Sequence, residues 1–550
     1  MPRSGRCLVL VGLAGSALLL TIAAAPSSPA IRFREAAAAG GLVFRLANHP
    51  TPRKHLPETV AGGLAIFDYD GDGRPDVFFT NGAAFPSLEK ESPPDWNRLF
   101  HNEGGLHFAD VTERAGVRGR GYSMGAAAGD YDNDGHVDLF VAGVNRNLLY
   151  RNRGDGTFQD VTERAGIQST VWSVAAGWFD YDGDGRLDLF VVNYVQWSPA
   201  FDRFCGDPVR KIRVYCHPRY FQGLPNTLYR NRGDGTFEDV SERSGIAKHV
   251  GKGMSVAFAD YDGDGRADAY VTNDGVPNFL FRNRGDGTFE EAALRAGAAL
   301  PDRGAAVSSM GADFRDYDND GRPDIATTAL VGETFPLFRN EGQGQFREAT
   351  APTGLAGLSA RLSGWGVALA DLDDDGWKDL FTANAHVNDE IESFESTRYR
   401  LANAVFANRG GTFADASAVS GVGSGTPRAH RGLAVADLDG DGRLDVVTSA
   451  LGEPAELWVN ETGAGNGWLQ LELAGTRSNR NGIGAVARVG AQANEMTTAF
   501  GYASSSHAGV HFGLGRAERV DVEVTWPSGI VQRAPGVAAN QILRLREPAR

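Results

Sequence analysis

A nine-residue pattern, D-x-D-x-D-G-x-x-D, occurs seven times in this chain and constrains its fold more than any other feature. The copies begin at Asp68, Asp130, Asp180, Asp260, Asp316, Asp371 and Asp437, with successive starts 62, 50, 80, 56, 55 and 66 residues apart. A run of small and apolar residues leads into each copy, as in GGLAIFD, AAGWFD and GLAVAD. An apolar run such as DVFFT or DLFVV leaves it. A third element follows, clearest in NLLYRNRGDGTFQDVTERAGI and NTLYRNRGDGTFEDVSERSGI. Self-similarity at such a period means that one small unit is stacked against copies of itself.

Each unit reads as four short strands. The first runs into the Asp loop and the second leaves it as a buried apolar run. The third carries the alternating L-[YF]-R-N segment, and a Gly-Asp-Gly turn leads to the fourth, around the Phe of G-T-F. Such four-stranded units are propeller blades, so the sequence predicts an all-β, seven-bladed β-propeller over residues 31–463. The last repeat reaches ELWVNETG and then lacks a G-x-F strand. IRFREAAAAGGL, around Phe33, matches FREATAPTGL around Phe346 and FADVTERAGV around Phe108. The N-terminal strand is therefore expected to complete the final blade and close the ring, leaving no open edge.

The loops carry the chemistry. Asp68, Asp70, Asp72 and Asp76 occupy positions 1, 3, 5 and 9 of the first, with Gly73 at the sharp turn. The same places are held by Asp130, Asp132, Asp134 and Asp138; by Asp180, Asp182, Asp184 and Asp188; and by Asp260, Asp262, Asp264 and Asp268. Asp316, Asp318, Asp320 and Asp324 form the fifth set, Asp371, Asp373, Asp375 and Asp379 the sixth, and Asp437, Asp439, Asp441 and Asp445 the seventh. Alternating carboxylates around a Gly turn converge as hard oxygen ligands for Ca²⁺, with the carbonyl of the seventh residue (Arg74 in the first loop) as a further ligand. Position 12, a Glu in an EF-hand, is Phe79, Val141, Val191, Val271, Thr327, Thr382 or Thr448, all in strand-like runs. These are calcium hairpins rather than EF-hands, with up to seven sites. Metal-free Asx turns are the alternative, disfavoured because four carboxylates in one small loop repel each other. Mg²⁺ fits less well, since it keeps more water and takes fewer carboxylates.

The formal charge of −15 argues against a nucleic-acid partner. Of the 69 acidic residues, 28 lie in the loops, and seven Ca²⁺ would neutralise half of their charge. At the N-terminus, Arg3 and Arg6 precede an apolar stretch from Leu8 to Ala25, followed by small residues. Residues 1–25 thus read as a signal peptide, with an uncleaved anchor as the alternative. The expected location is secreted, extracellular, or periplasmic in a Gram-negative cell, with no membrane span after cleavage. Cys205 and Cys216 are the two cysteines left, and their closeness in an exported chain predicts a disulfide. A site using Cys216 and His217 matches no zinc spacing.

Three RGD tripeptides, at Arg153, Arg232 and Arg284, all sit inside N-R-G-D-G-T-F and read as turn residues. Asn460-Glu461-Thr462 is a glycosylation sequon of the kind common by chance. No G-x-S-x-G elbow, Walker loop or H-E-x-x-H motif is present. The long connections between second and third strands, about 80–97, 193–226 and 382–403, are expected to form a rim on the face away from the Asp loops. They supply a candidate ligand face of Tyr194, Trp197, Arg210, Tyr215, His217, Tyr220, His386, Asp389 and Glu390. Loops that merely pack on one another are the equal alternative.

Beyond residue 463 the Asp loops stop. WLQLELAG and VDVEVTWPSG alternate strictly, predicting a small β-sandwich-like domain over 464–548. The seven loops with N-x-G-D-G-x-F hairpins resemble FG-GAP/VCBS repeats, as in the integrin α-subunit propeller. SNRNGIGAVARV, HFGLG and VTWPSG resemble an ASPIC/UnbV domain, and the combination resembles the secreted cartilage acidic protein family and its bacterial relatives. The first repeat departs from the pattern, with EGGLHF in place of the G-D-G hairpin. The resemblance implies a calcium-stabilised extracellular propeller with its metal loops on one face and no established enzymatic activity. The expected function is a secreted calcium-binding adhesion or scaffold protein whose partner is an extracellular protein or glycan. The alternative is a polysaccharide lyase or hydrolase at the channel mouth, with His386 or His217 as base.

Overall fold

A computed structural model describes Met1, residues 30–463 and residues 465–549; the expected signal peptide lies outside the described residues apart from Met1. Seven sheets repeat one build. In blade 1 the strands are Leu64–Phe67, Asp76–Phe79, Arg98–Gly104 and His107–Asp110, in that order across the sheet. The chain is all-β, and its α-helices are no longer than five residues among those described. Burial falls off from the centre outward within each blade. In blade 2, Ser123–Gly129 and Asp138–Gly143 are buried at every residue, Leu148–Asn152 at all but one, and Phe158–Asp160 only at Phe158. That gradient explains the sequence pattern: continuous apolar runs where both faces are covered, alternation where one face meets water. The final blade takes its fourth strand from the start of the chain, with Phe33–Glu35 antiparallel to Glu456–Asn460 and Phe33 opposite Asn460.

One side chain joins each blade to its neighbour. The third strand of every blade contains an Asn whose amide donates to a carbonyl at the second residue of the preceding Asp loop. Asn152 reaches Tyr69 O at 2.7 Å, Asn231 reaches Tyr131 O at 2.7 Å, and Asn283 reaches Tyr181 O at 2.8 Å. Asn340, Asn408 and Asn460 continue the series to Tyr261, Tyr317 and Leu372, and Asn102 donates to Leu438 O at 2.8 Å, tying blade 1 to blade 7. Asn460 is therefore buried and fully engaged, so its sequon offers no accessible acceptor.

The C-terminal residues form two sheets. One joins Val510–Gly515, Gly467–Ala474 and Gln541–Arg546; the other joins Gln492–Glu495, Val486–Val489, Arg519–Thr525 and Val531–Ala538. Leu469, Leu471, Phe512, Val522, Val524 and Trp526 share one apolar cluster between them. The segment Thr497–Ala508 leaves these sheets and enters the centre of the propeller. Its strand Ser504–Ser506 runs parallel to Leu64–Phe67, pairing Ser505 with Ala65. Small hydroxyl residues suit this place, because they supply hydrogen bonds without bulk. Ser505 Oγ accepts from Ala128 N, Ser506 Oγ bonds both N and O of Val435, and Gly501 exchanges two backbone bonds with Ala312. Ser255 Oγ donates to Gly501 O, Ala499 lies against Gly177, and Tyr502 packs edge-on to Trp365. The segment thus touches the inner strands of all seven blades. A Cβ at Gly63 would stand 2.1 Å from Ala503 O, which is why glycine is needed there.

The other mouth of the channel is covered as well. The helix Pro57–Val60, between the N-terminal strand and blade 1, is buried at all four residues. Tyr502 Oη donates to Val60 O at 2.5 Å. Arg431, wholly buried and 3.9 Å from the Trp365 ring centroid, donates to Thr59 O at 2.8 Å. The sequence reading missed both the hairpin in the channel and this cover.

Candidate metal centres

Each Asp loop is wound around its own first carboxylate. Asp68 Oδ1 accepts from the backbone N–H of Gly71 and Asp72, and Oδ2 from that of Gly73. The ninth residue anchors the loop to the sheet: Asp76 Oδ2 accepts from Tyr69 N at 3.0 Å and Oδ1 from Asn102 N at 2.8 Å. All seven ninth-position aspartates make this pair of bonds. Oxygens from positions 1, 3 and 9 lie within 4.8 Å of one another in the first four loops.

Two kinds of basic residue partly neutralise the loops, and both grip outer oxygens. Arg151, from the third strand, places Nε 2.5 Å from Asp132 Oδ2 and Nη2 2.8 Å from Asp134 Oδ2. Arg230, Arg282 and Arg339 repeat this fork in blades 3, 4 and 5. Arg409 reaches Asp373 and Asp375 more distantly in blade 6, and His101 takes the place of the arginine in blade 1. The seventh-position arginines Arg74, Arg186, Arg266, Arg322 and Arg443 hold the fifth-position aspartate of their own loops. Blades 3, 4 and 5 thus set two guanidinium groups against four carboxylates. The remainder is two negative charges, that of a divalent cation's counter-ion set.

The inner oxygens have no such partner. Oδ1 of Asp70, Asp132, Asp182, Asp262, Asp318 and Asp373 is buried without a hydrogen bond, while Asp439 in the seventh loop is exposed. An ionised oxygen left so costs several kcal/mol unless a cation meets it. Burial, with the charges of Asp70 and Asp68, pushes the Asp76 carboxyl up to about 8. Burial likewise raises Asp138, Asp188, Asp268, Asp324, Asp379 and Asp445 well above the carboxylate range, with neighbouring aspartates adding to it. Clustered all-oxygen donors, an orphaned oxygen and this residual charge fit a hard divalent ion.

The Asp-loop face is also the seat of the C-terminal sheets. Asn481 Oδ1 accepts from Asp130 N at 2.7 Å, Arg480 N donates to Asn133 Oδ1 at 2.7 Å, and Glu495 Oε2 accepts from Asp260 N at 3.3 Å. His511 Nε2 lies 3.3 Å from Asp374 Oδ1 and 3.1 Å from Gly442 O. Cavities of about 390 and 380 Å³ run along this seam, one lined by Asp180, Asp260 and Glu495, the other by Asp68, Asp437 and Arg480.

The structure divides the residues expected on the opposite face. Tyr194, Trp197, Tyr215 and His386 are buried, whereas Arg210, His217, Tyr220 and Glu390 are exposed and Asp389 is half-buried. Tyr194 Oη bonds Asp274 at 2.7 Å, and Trp197 packs on His55 and Phe85. Tyr215 Oη reaches Glu58 Oε2 at 3.2 Å, its N–H donates to Asn388, and Lys54 pairs with Asp389. His386 Nδ1 accepts from Asn388 N, and burial pushes its imidazole down to about 4. His217 lies elsewhere, capping Arg219 N. The channel mouth on which the enzyme alternative depends is filled by Tyr502 and helix Pro57–Val60. Cys205 and Cys216 form a disulfide. The RGD aspartates serve their turns, as Asp155 Oδ1 accepts from both N and Oγ1 of Thr157.

Sequence reasoning overlooked the arginine forks and the asparagine links. Their signal was present: Asn recurs at the third strand of every repeat, and Arg precedes it in four. A model of the FG-GAP-like repeat matches residues 68–141, 130–191, 220–271, 264–327 and 395–448, more than half of the chain. The chain belongs to the FG-GAP-like repeat family. An FG-GAP repeat model also matches residues 431–469, and the ASPIC and UnbV model matches 475–550. Cartilage acidic protein 1 of Homo sapiens is 28% identical over 340 residues, covering 59% of this chain and 48% of that protein. The Mus musculus protein is 28% identical over 341 residues, covering 59% and 49%. The chain spans about half the length of the curated relatives it matches. Among solved structures, a lectin of Agrocybe aegerita that recognises terminal N-acetylglucosamine aligns with 16% identity and a TM-score of 0.37, covering 72% of this chain and 87% of that one. A Bacillus licheniformis rhamnogalacturonan lyase aligns with 13% identity and a TM-score of 0.37, covering 77% and 74%. Scores this low assign neither function nor substrate to the FG-GAP chain.

Proposed function

We propose that this FG-GAP protein is a secreted, calcium-dependent binding or scaffold protein of the extracellular space. The single observation that carries the calcium reading is the partnerless inner oxygen repeated at position 3 of six loops. Asp68, Asp70, Asp72 and Asp76, with their six counterparts, would hold the ions, which supply positive charge where the arginines do not reach. The loops would in turn hold the C-terminal sheets, because Asp130 and Asp260, whose carboxylates belong to the ligand sets, also donate their backbone N–H to Asn481 and Glu495. This leaves the face of long connections turned toward a partner. Residues 31–463 would be one rigid unit and 464–548 its permanently docked companion. The relatives' name, cartilage acidic protein, supports an extracellular setting. Elemental analysis and calorimetric titration of the protein test the reading. Several equivalents of Ca²⁺ are expected, and a chain that takes up none would overturn it.

A further inference from the structure

Between Asp202 and Tyr220 the chain carries five Arg or Lys residues against two Asp, in a molecule whose formal charge is −15. The Cys205–Cys216 disulfide closes this segment into a finger, whose short strands Gly206–Asp207 and Ile212–Arg213 pair with each other. Arg210 is paired with Asp207 at 2.6 Å and Arg213 with Asp202 at 2.6 Å. Arg203, Lys211 and Arg219 are exposed, and no carboxylate lies within ion-pair distance of any of them among the described residues.

Two of these unpaired groups are held together. Arg203 lies 3.9 Å and Arg219 4.9 Å from the centroid of the Tyr220 ring, and Arg219 Nη2 donates to Tyr220 Oη at 2.9 Å. Tyr220 itself ends a short 3-10 turn, Pro218–Tyr220, whose first residue fixes the backbone. Like charges do not gather on one exposed ring unless something offsets their repulsion, and stacking offsets only part of it. The arrangement pre-orders two planar donor forks, lowering the entropy lost when an anion binds. Phe204 and Tyr220 stay 46% and 36% exposed beside them, so apolar ring surface lies next to the charge. The rings are separate and each carries an arginine, as Arg213 does over Phe204. A protein interface would instead ask for a contiguous apolar core.

We propose that the Arg203–Tyr220–Arg219 cluster on the disulfide finger binds the carboxylate or sulfate groups of an acidic polysaccharide. Each guanidinium donates in bidentate fashion to an anionic substituent, and the aromatic surface carries the sugar ring. This rests on the extracellular binding reading above and names its ligand class. The finger projects from the face opposite the C-terminal sheets, so the site is open whether or not the metal loops are filled.

The test measures binding of the full Ca²⁺-supplemented chain to immobilised heparin (sulfate), polygalacturonate (carboxylate), dextran (neutral) and poly-glutamate. Binding to heparin or polygalacturonate is expected, weakening as salt rises, with none to dextran. Whichever anion binds distinguishes the two sources. Arg203→Gln with Arg219→Gln should weaken it at least about tenfold at an unchanged melting temperature. Arg153→Gln with Arg232→Gln, on the outer turns, should leave it intact. Retention of full affinity in the Arg203/Arg219 variant overturns the proposal, as does equal binding of poly-glutamate or no binding of either polysaccharide. Ca²⁺ uptake, measured separately, decides the scaffold reading independently of these outcomes.

Discussion

The two faces of the propeller are built on opposite principles. The Asp-loop face repeats one nine-residue device seven times, and its surroundings answer it seven times with an asparagine from the next blade. The opposite face repeats nothing: three unrelated long connections, one of them carrying the disulfide finger, meet a four-residue helix there. The regular face is turned inward, toward the chain's own C-terminal sheets. The irregular face is the one the C-terminal sheets leave uncovered. Repetition here serves the internal architecture, and variation serves the outside.

Removing the metal should break the contrast most severely. A site held at about a hundredfold excess over its dissociation constant contributes roughly 2.7 kcal/mol, and several loops add. Chelation should lower the melting temperature substantially and expose Thr497–Ala508 to hydrogen exchange, while the disulfide finger exchanges as before. Equal protection of the hairpin with and without chelator would show that the loops do not control docking.

Acidity should modulate that loss in a fixed direction. Without a cation the Asp76 carboxyl titrates at about 8, above its ordinary 3.8. A buried acid that holds its proton more tightly when folded stabilises the metal-free fold at low pH, and this is lost as pH rises through the folded value. The melting difference between Ca²⁺-loaded and chelated protein should therefore widen from pH 5 to pH 8. A constant or narrowing gap, read by scanning calorimetry, would contradict the charge argument.

Tyr502→Ala probes the hairpin alone. The side chain is fully buried against Trp365, so its loss should cost about 3–5 kcal/mol. Denaturant unfolding should show this with Ca²⁺ uptake nearly preserved. The smallest effect belongs to the irregular face: Cys205→Ser with Cys216→Ser should leave global melting within about 2 °C, because a local 15-residue-scale loop contributes only ~3 kcal/mol of closure entropy and the finger lies outside the blades. Its signature should be faster proteolysis between residues 205 and 216.

The sequence made the blades legible because both their strand periodicity and their loop chemistry are local. The Asp loops at Asp68 and its counterparts, the N-terminal strand at Phe33 and the Cys205–Cys216 bond could all be read from spacing. Thr497–Ala508 could not. Its three serines and one glycine carry no strand signal of their own, and only the surrounding inner strands give them a place. Glu58 and Arg431 escaped notice for the same reason, since burial at long range makes them partners. Tyr194, Trp197 and His386 looked like ligand-face residues because aromatic and imidazole groups in long loops resemble a binding surface until their neighbours are known.

The pairing of Phe33–Glu35 with Glu456–Asn460 carries a consequence for how the molecule comes into being. Arg34 and Glu461, which meet at its outer edge, are separated by 427 positions in the chain. A chain emerging from a ribosome or a translocon can stack six blades while its first strand waits, unpaired, for the last to arrive. Contacts so distant in sequence form slowly, and an unpaired edge in the interval invites pairing with a neighbouring chain. The N-terminal strand thus finds its place in the sheet only once residues 456–460 have been made.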